Sequence, residues 1–153
     1  MTGFVLIAAC LIGVVADKPL TYQDAHQQAI QSKRPMLILV GADWCPACRV
    51  MKHNTLTGMQ KNGKLKDVLF AIVNVDDEPD LAAQLMRSST IPQLVLYIPA
   101  PQGWYRTYLH GSQQEERIEG MIASGLELQR RDRAVASKGP NEQSETTESS
   151  AGE

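Results

Sequence analysis

The feature that most constrains this chain is the apolar run Met36-Leu37-Ile38-Leu39-Val40-Gly41, which carries no charge and no polar alternation. A run this short and this uniformly apolar reads as a strand buried on both faces, so it calls for a sheet with helices on either side. The flanking sequence agrees. Thr21 can cap a helix with Asp24 three residues on, and Ala25, Ala29 and Ile30 mark its apolar stripe. That helix must stop before Pro35. Val68 to Val75 is a second buried strand. Asp76, Asp77, Glu78 and Pro79 open a short helix through Leu81, Leu85 and Met86, the acids suiting its positive end. Gln93 to Ile98 is a third strand, Pro99 to Gly103 a turn, and Trp104 to Leu109 its hairpin partner. Gly111 breaks the chain before a last helix from Glu115 to about Arg131. Helix-strand-helix-strand-helix, then strand-strand-helix, predicts an α/β fold with a mixed central sheet of about four strands flanked by helices.

Only part of the chain belongs to that fold. Residues 1–16 contain the uncharged run Phe4 to Ala16, too short for a membrane span of about 20 residues. Val14-Val15-Ala16 ends in a small residue and polar sequence begins at Asp17, as at a secretory cleavage site, although no Lys or Arg precedes the apolar run. Ile7-Ala8-Ala9-Cys10 also resembles a bacterial lipobox, which would make Cys10 a lipidation site; the plainer reading is a small apolar residue within the signal core. Residues 17–133 form the expected domain. Residues 134–153 are expected to be a disordered acidic tail, since Ser137 to Glu153 has no large apolar residue to bury. The formal net charge is -2 with no long basic run, so no nucleic-acid footprint is present.

Chemistry concentrates at Cys45 and Cys48. Three cysteines are too few for a disulfide scaffold, but two of them are spaced as a redox pair is. Arg49, Val50, Met51 and Lys52 continue with helical character, so a strand leads into a helix that starts at Cys45. A helix start offers unpaired N–H groups and a positive dipole end, which stabilise a thiolate. Pro46 suits the first turn because it has no N–H to waste. Cys45 is therefore expected to attack, and Cys48, further into the helix, to resolve the mixed disulfide. The rival reading is metal. A structural zinc site needs about four ligands, and His26, His53 and His110 are scattered, with no second cysteine pair. A copper or heavy-metal carrier using two thiolates, or an adaptor, stays open as the alternative. Trp44 can be a core residue or a neighbour of the reactive cysteine.

Trp44-Cys45-Pro46-Ala47-Cys48 resembles the active-site motif of the thioredoxin superfamily. Thr90-Ile91-Pro92 is similar to the cis-proline loop that faces that motif, and Val73-Asn74-Val75-Asp76 and Gly111 fall in family order. Within the superfamily, Arg34-Pro35-Met36-Leu37 through Ala42-Asp43-Trp44-Cys45 is similar to the C-terminal domain of periplasmic disulfide-interchange reductases and to small secreted relatives. The resemblance implies a thioredoxin fold and thiol–disulfide exchange through a Cys45–Cys48 disulfide; no cofactor is expected, and the missing ligands argue against a metal. It implies a cis bond before Pro92, with Ile91 offering backbone to an extended substrate and Trp44 and Pro46 supporting the site. The partners expected are protein disulfides and, because a reductant in an oxidising compartment needs a supply of electrons, a membrane electron donor; a membrane is touched only if Cys10 is lipidated or the signal is uncleaved.

Departures sharpen this. Cytoplasmic thioredoxins carry a buried acid six residues before the first Cys, where this chain has Leu39, and a lysine where it has Ile72. Their extra Trp, four residues before that Cys, is Gly41. Proton transfer at Cys48 then goes through water, and an extracytoplasmic, periplasmic location is expected. Ala47 supplies no charge or hydrogen bond to the Cys45 thiolate, and Asp43 opposes it while Arg49 and Lys52 can assist. That balance points to a reductant or an interchange protein.

Overall fold

A computed structural model describes residues 18–137. The expected signal segment with Cys10, and residues 138–153, lie outside them. The element order is α1 (Tyr22–Ser32), β1 (Met36–Gly41), α2 (Pro46–Val50), a π-helical stretch (Met51–Leu56), α3 (Thr57–Lys61), β2 (Leu69–Asn74), α4 (Pro79–Leu85), β3 (Gln93–Ala100), β4 (Gly103–His110) and α5 (Glu115–Ser137). The strands form one four-stranded sheet in the order β2-β1-β3-β4. β1 runs parallel to β2, with Met36 opposite Leu69 and Gly41 opposite Asn74. It runs antiparallel to β3, with Met36 opposite Tyr97 and Val40 opposite Gln93. The fold is the mixed, helix-flanked sheet that the sequence predicts.

β1 is central, and both its faces are covered. Leu37 and Leu39 enter a cluster with Met51, Leu56, Met59, Leu96 and Ile118, under the Pro46–Lys61 helical rod and α5. Met36, Ile38 and Val40 enter another with Ala25, Ala29, Val95 and Leu85, under α1 and α4. Each such side chain contributes about 1.5–3 kcal/mol on leaving water, so an uninterrupted apolar strand fits only this position.

Local chemistry fixes the element ends. Thr21 Oγ1 accepts the Asp24 N–H at 3.1 Å, capping α1, and donates to the Asp24 carboxylate at 2.8 Å. Lys33 ends α1 in the left-handed region at φ 56°, its N–H donating to the Ala29 carbonyl. The structure departs from the sequence reading, or extends it, at four points. Ile30 is 47% exposed, because Ala25 and Ala29 alone fill the narrow gap to the sheet. Pro99 lies within β3, opposite Trp104, which leaves a tight turn between Ala100 and Gly103. The helix after Cys45 runs on to Lys61 through the π-helical stretch, where Thr57 Oγ1 donates to the Lys52 carbonyl at 2.7 Å. α5 reaches Ser137, so 134–137 are helical and belong with the domain rather than the tail. Lys64 ties the loop after α3 to α5 by bonding Glu115 at 2.8 Å and Glu119, and these two bonds push its pKa upward.

Candidate active site

The site sits where β1 ends. Gly41 and Ala42 lead into a turn, and Cys45 is the N-cap of α2 with Pro46 in the first turn. Cys45 Sγ accepts the Cys48 backbone N–H at 3.2 Å, so the sulfur occupies the capping position that a serine oxygen takes elsewhere. Cys45 and Cys48 are joined by a disulfide, their Cα atoms 5.2 Å apart. Both residues are buried, at 6% and 3% exposure, so in the oxidised form they differ little in access. Ala42 completes their cluster, and Ala47, Val75 and Ile91 lie against it.

Gly41 is part of the site for a steric reason. A Cβ built there would lie 3.0 Å from both Cβ and Sγ of Cys48. The helix approaches the strand so closely here that any side chain at this position would press on Cys48.

The sequence-singled residues gather around this pair. Trp44 is 66% exposed, which removes the core reading. Its indole N–H donates to Asp76 Oδ2 at 2.8 Å, tying the motif to the end of β2. Asp76 thus serves Trp44, Asp77 accepts from Asn74 Nδ2 at 2.8 Å, and Glu78 caps α4 without a side-chain bond. Two of the three acids at that helix start, Asp76 and Asp77, therefore have partners beyond the helix dipole. Asp43 and Lys52 pair at 3.4 Å on the surface. The Ile91–Pro92 peptide is cis, and Ile91 faces the cysteines. Gly111, at φ 77°, donates its N–H to the Pro92 carbonyl at 2.8 Å, so the chain break after β4 also anchors this loop.

A cavity of about 240 Å³ opens beside Cys48, with Leu39 and Ile72 in its wall and Asn74, Asp77 and Glu78 on its rim. No group of three or more His, Cys, Asp or Glu side chains among the described residues could hold a metal ion. A carrier role would have to rest on the two sulfurs.

Comparison with known proteins decides the family. The Thioredoxin-like family model matches residues 18–99. A thioredoxin of Alicyclobacillus acidocaldarius is 33% identical over 109 residues, covering 71% of this chain and 98% of its own length. The chain belongs to the thioredoxin superfamily. Among solved structures, Trxlp of Edwardsiella tarda superposes with a TM-score of 0.54 at 26% identity, covering 68% of this chain and 95% of that one. Oxidised mitochondrial thioredoxin 3 of Saccharomyces cerevisiae shares the fold, with a TM-score of 0.53 at 23% identity over 70% of this chain and 93% of its own. A superfamily fold with a Cys45–Cys48 disulfide at the helix start makes this a thiol–disulfide oxidoreductase.

Sequence reasoning missed three contributors. Asp76 stands in the sequence reading as a helix-start acid and a strand end in family order, with no bond to Trp44 foreseen. Gly41 stands there as a strand end and a departure from the family, with no contact to Cys48 foreseen. Gln93 was read only as a strand start, although it is fully buried beside the loop. A lone glutamine at the head of an apolar strand was the available signal.

Proposed function

We propose that the protein acts on protein disulfides outside the cytoplasm, as a reductant or interchange protein. The observation that carries this reading is the capping position of Cys45 Sγ, which takes the Cys48 N–H at 3.2 Å beside Ile91. Backbone N–H groups and the helix dipole favour a thiolate there. In the reduced protein the Cys45 thiolate attacks one sulfur of a substrate disulfide and expels the other as a thiolate. Cys48 loses its proton and attacks Cys45 Sγ, which breaks the mixed disulfide and releases the second substrate thiol. Two electrons pass to the substrate, whose two thiolates take one proton from Cys48 and one from solvent, and Cys45–Cys48 is left oxidised. The cavity beside Cys48 supports water as the route for its proton, since Leu39 and Ile72 offer no proton-transfer group.

Ala47 adds no support to the thiolate, and Lys52 is turned to Asp43. A less stabilised thiolate makes a weaker oxidant, which supports the reducing direction. A reductant in an oxidising compartment needs a supply of electrons, and a membrane dithiol protein is the partner proposed.

The test is catalysed reduction of insulin with dithiothreitol as donor. The wild-type protein should turn over and Cys45→Ser should not. Cys48→Ser should accumulate a mixed disulfide through Cys45. Stoichiometric, tight uptake of Cu(I) without turnover would replace this reading with the carrier alternative.

A further inference from the structure

We propose that Gln93 is a positioning residue for the reaction: its side chain holds the backbone on which an extended substrate pairs. The proposal rests on the exchange reading above and concerns how that site meets a polypeptide.

Gln93 follows Pro92 and heads β3, between Val40 of β1 and His110 of β4. It is fully buried, and the apolar residues Leu94, Val95 and Leu96 follow it along the strand. A buried amide is tolerated only when its hydrogen bonds are made, and these are made entirely to one loop. Oε1 accepts the Arg87 N–H at 3.2 Å. Nε2 donates to the Ser88 carbonyl at 2.7 Å, to Ser88 Oγ at 3.1 Å and to the Thr90 carbonyl at 2.7 Å. The opposite amide orientation would set NH2 against an N–H and oxygen against two carbonyls, so the donor and acceptor pattern admits only this one.

The segment so held, from Arg87 to Pro92, belongs to no helix or strand. The Gln93 side chain gives it internal support that secondary structure does not. Thr90 is fixed by Gln93 on one side of Ile91, and Pro92 is fixed by the Gly111 N–H on the other. Ile91 is suspended between the two clamps against the cysteine cluster, and no backbone hydrogen bond joins it to another described residue. Gln93 touches neither sulfur, so it acts on reactivity only through where the Ile91 peptide lies. A polypeptide disulfide that pairs there by strand addition depends on that placement, whereas a small aromatic disulfide that meets Cys45 alone does not.

The experiment measures kcat and KM for a folded protein disulfide and for a small aromatic disulfide, in wild type and in Gln93→Leu, which removes all four bonds at similar volume. A loss of about tenfold or more in kcat/KM is expected for the protein disulfide, carried by KM, because a displaced Ile91 backbone loses its pairing with the extended substrate. The small disulfide should react within about twofold of wild type, and the pH profile of Cys45 alkylation should not move. Gln93→Asn, which shortens the reach of the amide, is read by the same ratio and stands in if the leucine variant does not fold. Equal losses on both substrates, or no loss on either, would overturn the positioning role. Failure of the wild-type protein itself to reduce any disulfide would instead sink the exchange reading, and this proposal with it.

Discussion

At the residue scale, the site is set by two sulfurs and the atoms that crowd them. Cys45 caps the helix, so alkylation of the reduced protein against pH should show its midpoint below the free-cysteine value of about 8.5. Cys48 should react more slowly in single-cysteine variants, and a faster Cys48 would reverse the assigned roles. Gly41 makes a sharper case. Replacing glycine by alanine can stabilise a chain by about 0.4–1 kcal/mol through its unfolded state. Here the new methyl would press on Cys48 Cβ and Sγ at 3.0 Å, and overpacking costs about 1–3 kcal/mol. The steric term wins, so Gly41→Ala should be less stable in denaturant and should release the mixed disulfide more slowly in stopped-flow measurements. The cysteines, Trp44 and Pro92 were legible because their residue types and order are specific. Gly41 and Gln93 were not, because their roles depend on neighbours brought in from α2 and from the 87–90 loop.

At the element scale, α5 lies across β3 through a glycine. A Cβ at Gly125 would meet Leu96 Cδ2 at 2.8 Å and Ile98 Cδ1 at 3.0 Å, both side chains being buried. Alanine would raise helix propensity by about 1 kcal/mol, yet two core side chains would have to move. Gly125→Ala is expected to destabilise by about 1 kcal/mol net, seen as a lower urea midpoint at unchanged slope. A rise in the midpoint would mean that β3 yields more easily than close contact suggests. Strand identities were readable from uniform apolar runs, since burial on both faces leaves no room for polar alternation. The π-helical stretch was not. Met51 and Leu56 are both buried five residues apart, a spacing that no α-helical pattern anticipates. Nor was the length of α5, whose last turns carry exposed residues and therefore no apolar periodicity. Gln129 on that helix is fastened instead by bonds from its Nε2 to the Lys33 and Pro99 carbonyls at 2.9 and 3.2 Å.

At the scale of the whole molecule, the domain begins where Leu20 pairs with Ala71 alongside β2. Cleavage after Ala16 would remove none of the contacts described here. Intact mass of protein made in a secreting host should therefore show a chain beginning near Asp17, or a lipid on Cys10. An uncleaved cytoplasmic product would sink the proposed location and weaken the argument for a reductant. The sheet also has two dissimilar poles. The cysteines lie at the Gly41–Asn74 end, whereas Leu20, parallel to Ala71, comes up from the Met36–Leu69 end. The far part of α5 reaches that same end, where Arg133 donates to the Lys33 carbonyl at 3.0 Å. Both ends of the described chain thus depart from the pole opposite the disulfide, one strand length or roughly 17–20 Å away. Whatever is fastened at either end, whether lipid, surface or a further domain, would hold the molecule by its base like a lamp on a stalk, with the redox pole turned outward and free to sweep for clients.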